Sequence, residues 1–356
     1  MPTDSGAAAR WPDTVHAWGF SRRKLGFLRR FLHPARVVPV GAAARLPPGA
    51  TLALWGSTPR PEGVPEAVPV LRFEDGFVRS VGLGADLVRP LSWVLDARGV
   101  HYDAAVPCDL ELRLAEGVSD PARLQRAAVL RHALIGAGIT KYNLGGRPWR
   151  RPPAATRVVL AVGQVESDAA VQAGAGPVRG NLALLRAVRA ARPCAFVVYK
   201  PHPDVLAGLR SAGRADALAA ASCDALAADC DMAQLLDGVD EVHVITSLAG
   251  FEALLRGKPV TTYGVPFYAG WGLTDDRGMA PEVAARRTRR LSLDELVAVA
   301  LIDYPLYLGL HSGAPATPEQ VLRELQAWRA ARGTVLPAWR RALRPLLGLA
   351  ARLRGQ

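Results

Sequence analysis

Asp168 closes the polar run Gln164, Glu166, Ser167, Asp168 that follows the apolar segment RVVLAVG, and Lys200 and His202 follow a second apolar segment, AFVVY. A carboxylate at one strand end and a lysine–histidine pair at the next suit an anionic, phosphorylated ligand, because open α/β sheets bind ligands at that edge. Pro201 and Pro203 disfavour helix, so Lys200 and His202 are expected on one side of an extended chain, where two donors could hold a phosphate. Thr246 and Ser247 precede LAGFEALL, read as a helix with Ser247 as N-cap and Gly257 just past its end. Free N–H groups and the dipole at such a terminus attract phosphate, although a plain N-cap is the commoner use of a serine there. Glu252, beyond the first turn, could reach a ribose hydroxyl or simply be solvated. Asp168 could attack a sugar anomeric carbon to form a covalent intermediate, or serve as a turn or cap residue. Glu74 and Asp75, in the glycine-punctuated stretch FEDGFVRSVGLG, could face the same cleft from another domain as a carboxylate pair.

Such residues need a frame. NLALLRAVRAARP has Leu182, Leu185 and Val188 at the spacing of one helix face, so 158–203 reads as a β-loop-α-β unit. EVHVIT and PVTTYG read as further strands, VPFYAGWGLTDD as an aromatic loop, and LSLDELVAVALI as a helix capped by Ser292. Upstream, TLALWGS and VPVLRFEDG are strands between turns. PLSWVLDARGVHYDA gives a strand, a turn at Arg98 and Gly99, and a short strand carrying Tyr102 and Asp103. LQRAAVLRHALIGAGI is helical, with Leu124, Ala128, Leu130 and Leu134 apolar. Residues 1–13 read as a loose terminus, and the basic segment HAWGFSRRKLGFLRRFL as a helix whose Phe20, Leu28, Phe31 and Leu32 pack on the first domain or meet a membrane. TKYN and GGRPWRRPPAAT look like an interdomain linker. The expected division is an N-terminal domain over 1–150, a second domain over 151–314 and a basic helical tail over 315–356. In that tail Leu336, Trp339, Leu343, Leu346, Ala350 and Leu353 recur at three- and four-residue steps.

Composition narrows the function. At 356 residues, half of them apolar and 21% charged, the chain is globular and long enough for two α/β domains. The net charge of +12 lies at the ends: 14–61 hold eight Lys or Arg and no acid, and 325–356 hold seven Arg and no acid. The centre is close to neutral, which argues against nucleic acid and suits an anionic membrane surface. Four cysteines without a CxxC pair or metal-ligand spacing fit reduced thiols in a cytosolic protein. The first ten residues lack the apolar core of a cleavable leader, and no run approaches the roughly 20 apolar residues of a membrane span. No Walker loop, GxSxG, HExxH or GxGxxG is present, which removes the corresponding kinase, hydrolase, zinc-protease and dehydrogenase readings.

Together LRFEDGFVRSVGLG, PLSWVLDARGVHYDA, TKYN, VGQVESDAA, YKPHPDV, TSLAGFEALLRGKPVTTYG and PFYAGWGLTDD resemble the bacterial capsule polysaccharide biosynthesis/export family, in order from about Trp18 to about Tyr307. Members of that family are retaining β-Kdo glycosyltransferases that build the Kdo linker of lipid-anchored capsules. The resemblance implies a GT-B-like arrangement of two Rossmann-like domains with CMP-β-Kdo in the cleft: acceptor on the first domain, donor on the second. It makes Asp168 the catalytic aspartate, His202 with Pro203 the HP element, and Thr246 with Ser247 the Ser/Thr element that holds the CMP phosphate. Gln164, Lys200 and Glu252 join the donor side, and Glu74 and Asp75, in the EDGF motif, lie near the acceptor or the reacting sugar. The family's best-known members carry two such modules; this chain has one, and its GQVE form resembles the second. No cofactor or metal is implied beyond the CMP-sugar substrate. The expected partners are a lipid-linked saccharide acceptor, the anionic inner face of the inner membrane, as a cytoplasmic peripheral protein, and capsule assembly proteins. A transferase of another CMP-activated sugar and a non-catalytic export component are the alternatives.

Overall fold

A computed structural model describes residues 11–41, 46–83, 88–206, 218–219 and 221–332. Two six-stranded sheets organise them. In the first, β1 (Thr14–Ala17), β2 (Arg36–Pro39), β3 (Thr51–Trp55) and β4 (Val70–Asp75) run parallel in the order β2-β1-β3-β4. β5 (Ser92–Asp96) joins β4 antiparallel, and β12 (Pro305–Tyr307) closes the edge antiparallel to β5. The second sheet is parallel throughout, from β6 (Val158–Val162), β7 (Phe196–Lys200), β8 (Ala225–Leu226), β9 (Glu241–Val244), β10 (Val260–Thr262) and β11 (Asp275–Asp276). Its order, β11-β10-β9-β6-β7-β8, places the switch in winding direction between β6 and β9. A crevice opens at the carboxyl ends of the strands at that point.

β6 illustrates why a continuous apolar run becomes a central strand. Val158, Leu160 and Val162 enter one buried cluster and Val159 and Ala161 another, so both faces of VVLAV are covered. The helix Asn181–Ala191 buries Leu184, Leu185 and Val188 as the crossover to β7.

The basic segment near the start folds partly as expected. Ser21 caps the helix Arg22–Phe31, accepting from the Lys24 N–H at 3.3 Å. Leu28 and Phe31 are buried, and Phe31 stacks on Trp93 of β5 at 4.8 Å between ring centres. The apolar side of that helix is therefore committed to the first sheet, which decides between the two readings given above. TVHA, directly before it, is a central strand rather than part of a helix, because β2 and β3 flank it and cover its backbone.

The expected short strand at Tyr102 and Asp103 is instead a turn. The Asp103 N–H closes on the Val100 carbonyl at 3.0 Å, which bends the chain toward the cleft. A boundary at 314 does not follow the sheets either. Past the helix Pro281–Arg286 the chain returns to the first domain. There Leu293–Val297, with a Ser292–Glu295 capping box, and the π-helix Ala298–Asp303 pack on the helix Pro121–Gly136 before β12 joins the first sheet. The helix Pro318–Arg332 lies on Pro121–Gly136 as well, tied by Arg126 to Glu319 at 2.7 Å. An edge strand can be supplied from anywhere in the chain, so linear order conceals it. Residues 333–356, with Leu336, Trp339 and the rest of the basic tail, lie outside the described residues.

Candidate active site

One cleft of about 280 Å³ lies between the two sheets' ends, and Glu74, Asp75, Gln164, Asp168, Lys200, His202, Thr246, Ser247 and Glu252 all line it. The fold thus brings every candidate to one place, in different local states.

Gln164 and Thr246 form the floor at the switch point. The Gln164 amide donates to the Thr246 hydroxyl at 3.0 Å and accepts from the Thr246 N–H at 2.9 Å, joining the ends of β6 and β9. Asn181 completes the lock, accepting from the Gln164 N–H and donating to its carbonyl, both at 2.9 Å. The Thr246 hydroxyl in turn donates to the Ala170 carbonyl. These groups are thereby committed to holding the crevice in shape. Ser247 is the N-cap of Leu248–Leu255, accepting from the Ala249 N–H at 3.2 Å, while its carbonyl accepts from the Tyr268 hydroxyl. The helix N-terminus is aimed into the cleft as the sequence suggests.

Asp168 precedes the short helix Ala169–Gly174 at its N-cap position, yet its side chain makes no capping bond and is exposed to the cleft. Its main chain anchors that helix instead, through the carbonyl that accepts from Val171 and Gln172. A carboxylate at an N-cap that leaves the cap unmade is available to a ligand.

Lys200 departs from expectation. Two of its three ammonium donors are held by the Ala228 and Cys230 carbonyls, at 2.7 and 2.9 Å, so it braces the 228–230 turn. Burial pushes its pKa below the ordinary lysine value. His202 lies at the mouth of a turn that does become helical: Pro203–Leu206 is one helical turn, since proline is tolerated at the first helical position. The His202 Nδ1 accepts from the Asp204 N–H at 3.2 Å, leaving Nε2 as its other ring nitrogen. Glu252 is not solvated. It is 8% exposed, burial raises its pKa, and its Oε1 accepts from the Lys141 N–H at 2.8 Å. Glu252 therefore fastens the interdomain segment 140–143 to the helix Leu248–Leu255.

From the first domain, Glu74 and Asp75 end β4 at the cleft. Asp75 pairs with Arg79 at 2.6 Å. Burial and the neighbouring Asp75 push the Glu74 carboxyl up to about 7, while Lys24 opposes the shift. Lys24 itself, with its ammonium 3.2 Å from the centre of the Trp55 ring, is pushed down to about 8 by burial, with Glu74 opposing. Gly56, at φ +51°, makes room here: a Cβ on it would lie 2.7 Å from the Tyr102 hydroxyl and 3.0 Å from Glu74 Oε2. The phenol and the carboxyl thus converge over a bare backbone. Burial, then Glu74, raise the Tyr102 pKa, and Asp168 adds to the shift from the opposite wall.

Several residues of the site were not picked out from sequence. Phe77, of the EDGF segment, stacks on Phe267 of the aromatic loop at 4.5 Å between centres, joining the domains. His101 packs edge-on against Phe77 at 5.0 Å, and burial lowers its pKa to about 3, so it is neutral at physiological pH. Glu111 receives both Arg286 and Arg287, at 2.8 and 2.9 Å. Arg287 also donates to the Pro266 and Ala269 carbonyls and so fixes the loop that presents Phe267. Lys24, beside Trp55 and Glu74, and Lys141, beside Tyr142, were not picked out either. The signals that could have found Phe77 and Lys141 are the motif FEDGF and the segment TKYN, which by residue type alone read as a strand end and a linker.

Two α/β domains meeting at a cleft, one with a Rossmann-type switch point and each contributing carboxylates, define the GT-B-like class of folds. Within that class the particular family is also clear. A model of the capsule polysaccharide biosynthesis protein family matches residues 53–137 and 150–307, and the chain belongs to that family. It is 46% identical over 241 residues to the capsule polysaccharide modification protein LipA of Neisseria meningitidis serogroup B, covering 68% of this chain and 34% of LipA. It is 44% identical over 279 residues to the lipopolysaccharide-processing protein LpsZ of Rhizobium meliloti, covering 76% of this chain and 62% of LpsZ. The chain therefore spans about a third of the one relative and under two thirds of the other. Among solved structures it matches Thermosulfurimonas dismutans KpsC, beta Kdo 2,7 transferase, at a TM-score of 0.73 and 36% identity, over 89% of this chain and 99% of that one. The KpsC beta Kdo 2,4 transferase of the same organism matches at 0.72 and 31%, over 88% and 98%.

Proposed function

We propose that this chain is a glycosyltransferase of capsule polysaccharide assembly, transferring β-Kdo from CMP-β-Kdo with retention to a saccharide acceptor. The observation that carries the reading is the pairing across one cleft of Asp168, a carboxylate outside any cap bond, with Glu74, a carboxyl held near neutrality. The likeness to beta Kdo transferases supplies the sugar.

In this reading the Asp168 carboxylate attacks C2 of Kdo, and the bond from C2 to the phosphate oxygen breaks, releasing CMP. His202 and the N-terminus of Leu248–Leu255 meet the charge that develops on the phosphate, with no cofactor invoked. The acceptor hydroxyl then gives its proton to ionised Glu74 and attacks C2, breaking the ester to Asp168. Two inversions give net retention. Lys200 shapes the donor side rather than serving as the main phosphate contact, since two carbonyls already hold it. Among the described residues no helix is long and apolar enough to cross a membrane. The basic ends of the sequence support a peripheral position at an anionic inner-membrane face, where a lipid-linked acceptor would be met.

Intact-mass spectrometry after mixing with freshly generated CMP-Kdo tests the reading. The wild type should gain the mass of one Kdo residue and Asp168→Asn should gain none. Full transfer by folded Asp168→Asn would remove Asp168 as nucleophile.

A further inference from the structure

We propose that Lys141 recognises the carboxylate of the transferred sugar and thereby selects an acidic, 2-keto-derived donor. The inference rests on the function proposed above and adds a specificity-determining residue to it.

The first observation is which cations face the cleft. Among the described residues that line it, Lys141 and Lys200 are the only lysines or arginines. Lys200 is held by two carbonyls, as described. The Lys141 ammonium lies 5.3 Å from the centre of the Tyr142 ring and has no hydrogen bond or ion pair to a described residue.

The second observation is how firmly the segment that carries it is held. The Lys141 N–H donates to Glu252 Oε1 at 2.8 Å, and its carbonyl accepts from the Ser80 N–H at 3.3 Å. The Tyr142 carbonyl accepts from the Gly82 N–H at 2.7 Å. Asn143, 3% exposed and at φ +50°, donates to the Ser80 and Thr140 carbonyls at 2.9 and 2.8 Å. It also accepts from the Thr140 N–H at 2.9 Å. Contacts from both domains therefore immobilise Thr140–Asn143 by its backbone and by Asn143, while the Lys141 head group stays uncommitted.

The third observation is electrostatic. Burial lowers the Lys141 pKa, but Tyr142, Asp75 and Glu74 raise it further, leaving it at about 12, so the group is charged throughout the physiological range. Asp75 already pairs with Arg79, and among the described residues neither Asp75 nor Glu74 forms an ion pair with Lys141. A fixed cation remains for an incoming anion.

The chemistry of the donor calls for one. In a 2-keto-3-deoxy sugar acid the carboxylate is bonded to the anomeric carbon itself. Attack by Asp168 brings two carboxylates together at that carbon, and their repulsion opposes the step unless a cation lies beside them. An ammonium at the sugar end of the cleft offsets it. A donor with hydrogen or hydroxymethyl in place of the carboxylate would offer Lys141 no such charged partner.

The test separates sugar from phosphate by using two ligands with each variant. In Lys141→Met, kcat/KM for CMP-Kdo should fall about tenfold to a hundredfold or more, the range for losing one charged hydrogen bond, while the calorimetric Kd for CMP stays within about twofold. Lys141→Arg, which keeps charge and donors, should recover most of the loss. Lys141→Gln, of similar length and uncharged, should behave as Lys141→Met and serves in its place if that variant fails to fold. Equal weakening of CMP and of CMP-Kdo would assign Lys141 to the phosphate and overturn the proposal. So would unchanged kinetics in the uncharged variants. If the wild type itself forms neither adduct nor product, the transferase reading falls first, and the Lys141 assignment with it.

Discussion

Glu74→Gln sets the demands of the cleft against those of the fold. The Glu74 carboxyl stands at about 7 in the folded protein against an ordinary value of 4.5, because burial and Asp75 disfavour its ionised form. At roughly 1.4 kcal/mol per pH unit that difference amounts to about 3 kcal/mol. The sign follows from proton counting. Below pH 4.5 the group is protonated in both states and contributes nothing. Between 4.5 and 7 the folded chain keeps a proton that the unfolded chain has released, so stability declines as the pH rises. Above 7 the carboxylate is ionised in both states and the full penalty persists. Glutamine has no such titration. Urea unfolding should therefore show the variant level with the wild type near pH 4.5 and more stable by up to about 3 kcal/mol at pH 8. Removing Glu74 also withdraws the charge that supports protonated Lys24, so this figure is a ceiling. Activity should move the other way. Wild-type kcat/KM for the acceptor should rise with pH through about 7 as Glu74 ionises, and the variant should lose about 10²- to 10⁴-fold in transfer, the usual range for a general base. A stability gain that is the same at pH 5 and pH 8, or transfer that survives the substitution, would refute the assignment.

Three further outcomes are expected. Gly56→Ala should impair transfer and also cost stability, because the new Cβ would sit on a backbone at φ +51° and meet the Tyr102 hydroxyl at 2.7 Å and Glu74 Oε2 at 3.0 Å; unchanged kcat in the folded variant would show that the two groups need not converge there. Glu111→Gln leaves Arg286 and Arg287 without their buried carboxylate and should destabilise the protein by about 3–5 kcal/mol, read from thermal or urea unfolding. His202→Ala and Ser247→Ala should each weaken CMP in calorimetry, by about 1.5–3 kcal/mol for a charge-assisted contact in the case of His202. Unchanged affinity in both would move the phosphate elsewhere.

Much of the second domain was legible along the chain. Val158–Val162, Phe196–Lys200, Glu241–Val244 and the helix Leu248–Leu255 all form where the sequence pattern puts them, whereas the strand order that sets the winding switch appears only in the folded sheet. The types and placement of Asp168, His202, Thr246 and Ser247 at strand ends were local information as well. Which of those groups are already occupied was not. Gln164 finds Thr246, Lys200 finds the carbonyls of 228 and 230, and Glu252 finds Lys141 across 111 positions of sequence. Periodicity reports which face of an element is buried, but it carries no record of the partner. The first domain shows the same limit in its strands. TVHA is too short to signal itself beside a basic helix, and Pro305–Tyr307 reaches the edge of β5 only after the chain has built the other domain. Sequence determined the local elements and the chemical types at their ends, because those depend on near neighbours. Tertiary structure alone decided that Glu74 would lie near neutrality, that Phe77 and Phe267 would join the domains, and that Lys141 would face the cleft, because burial and charge are set by residues distant in the chain.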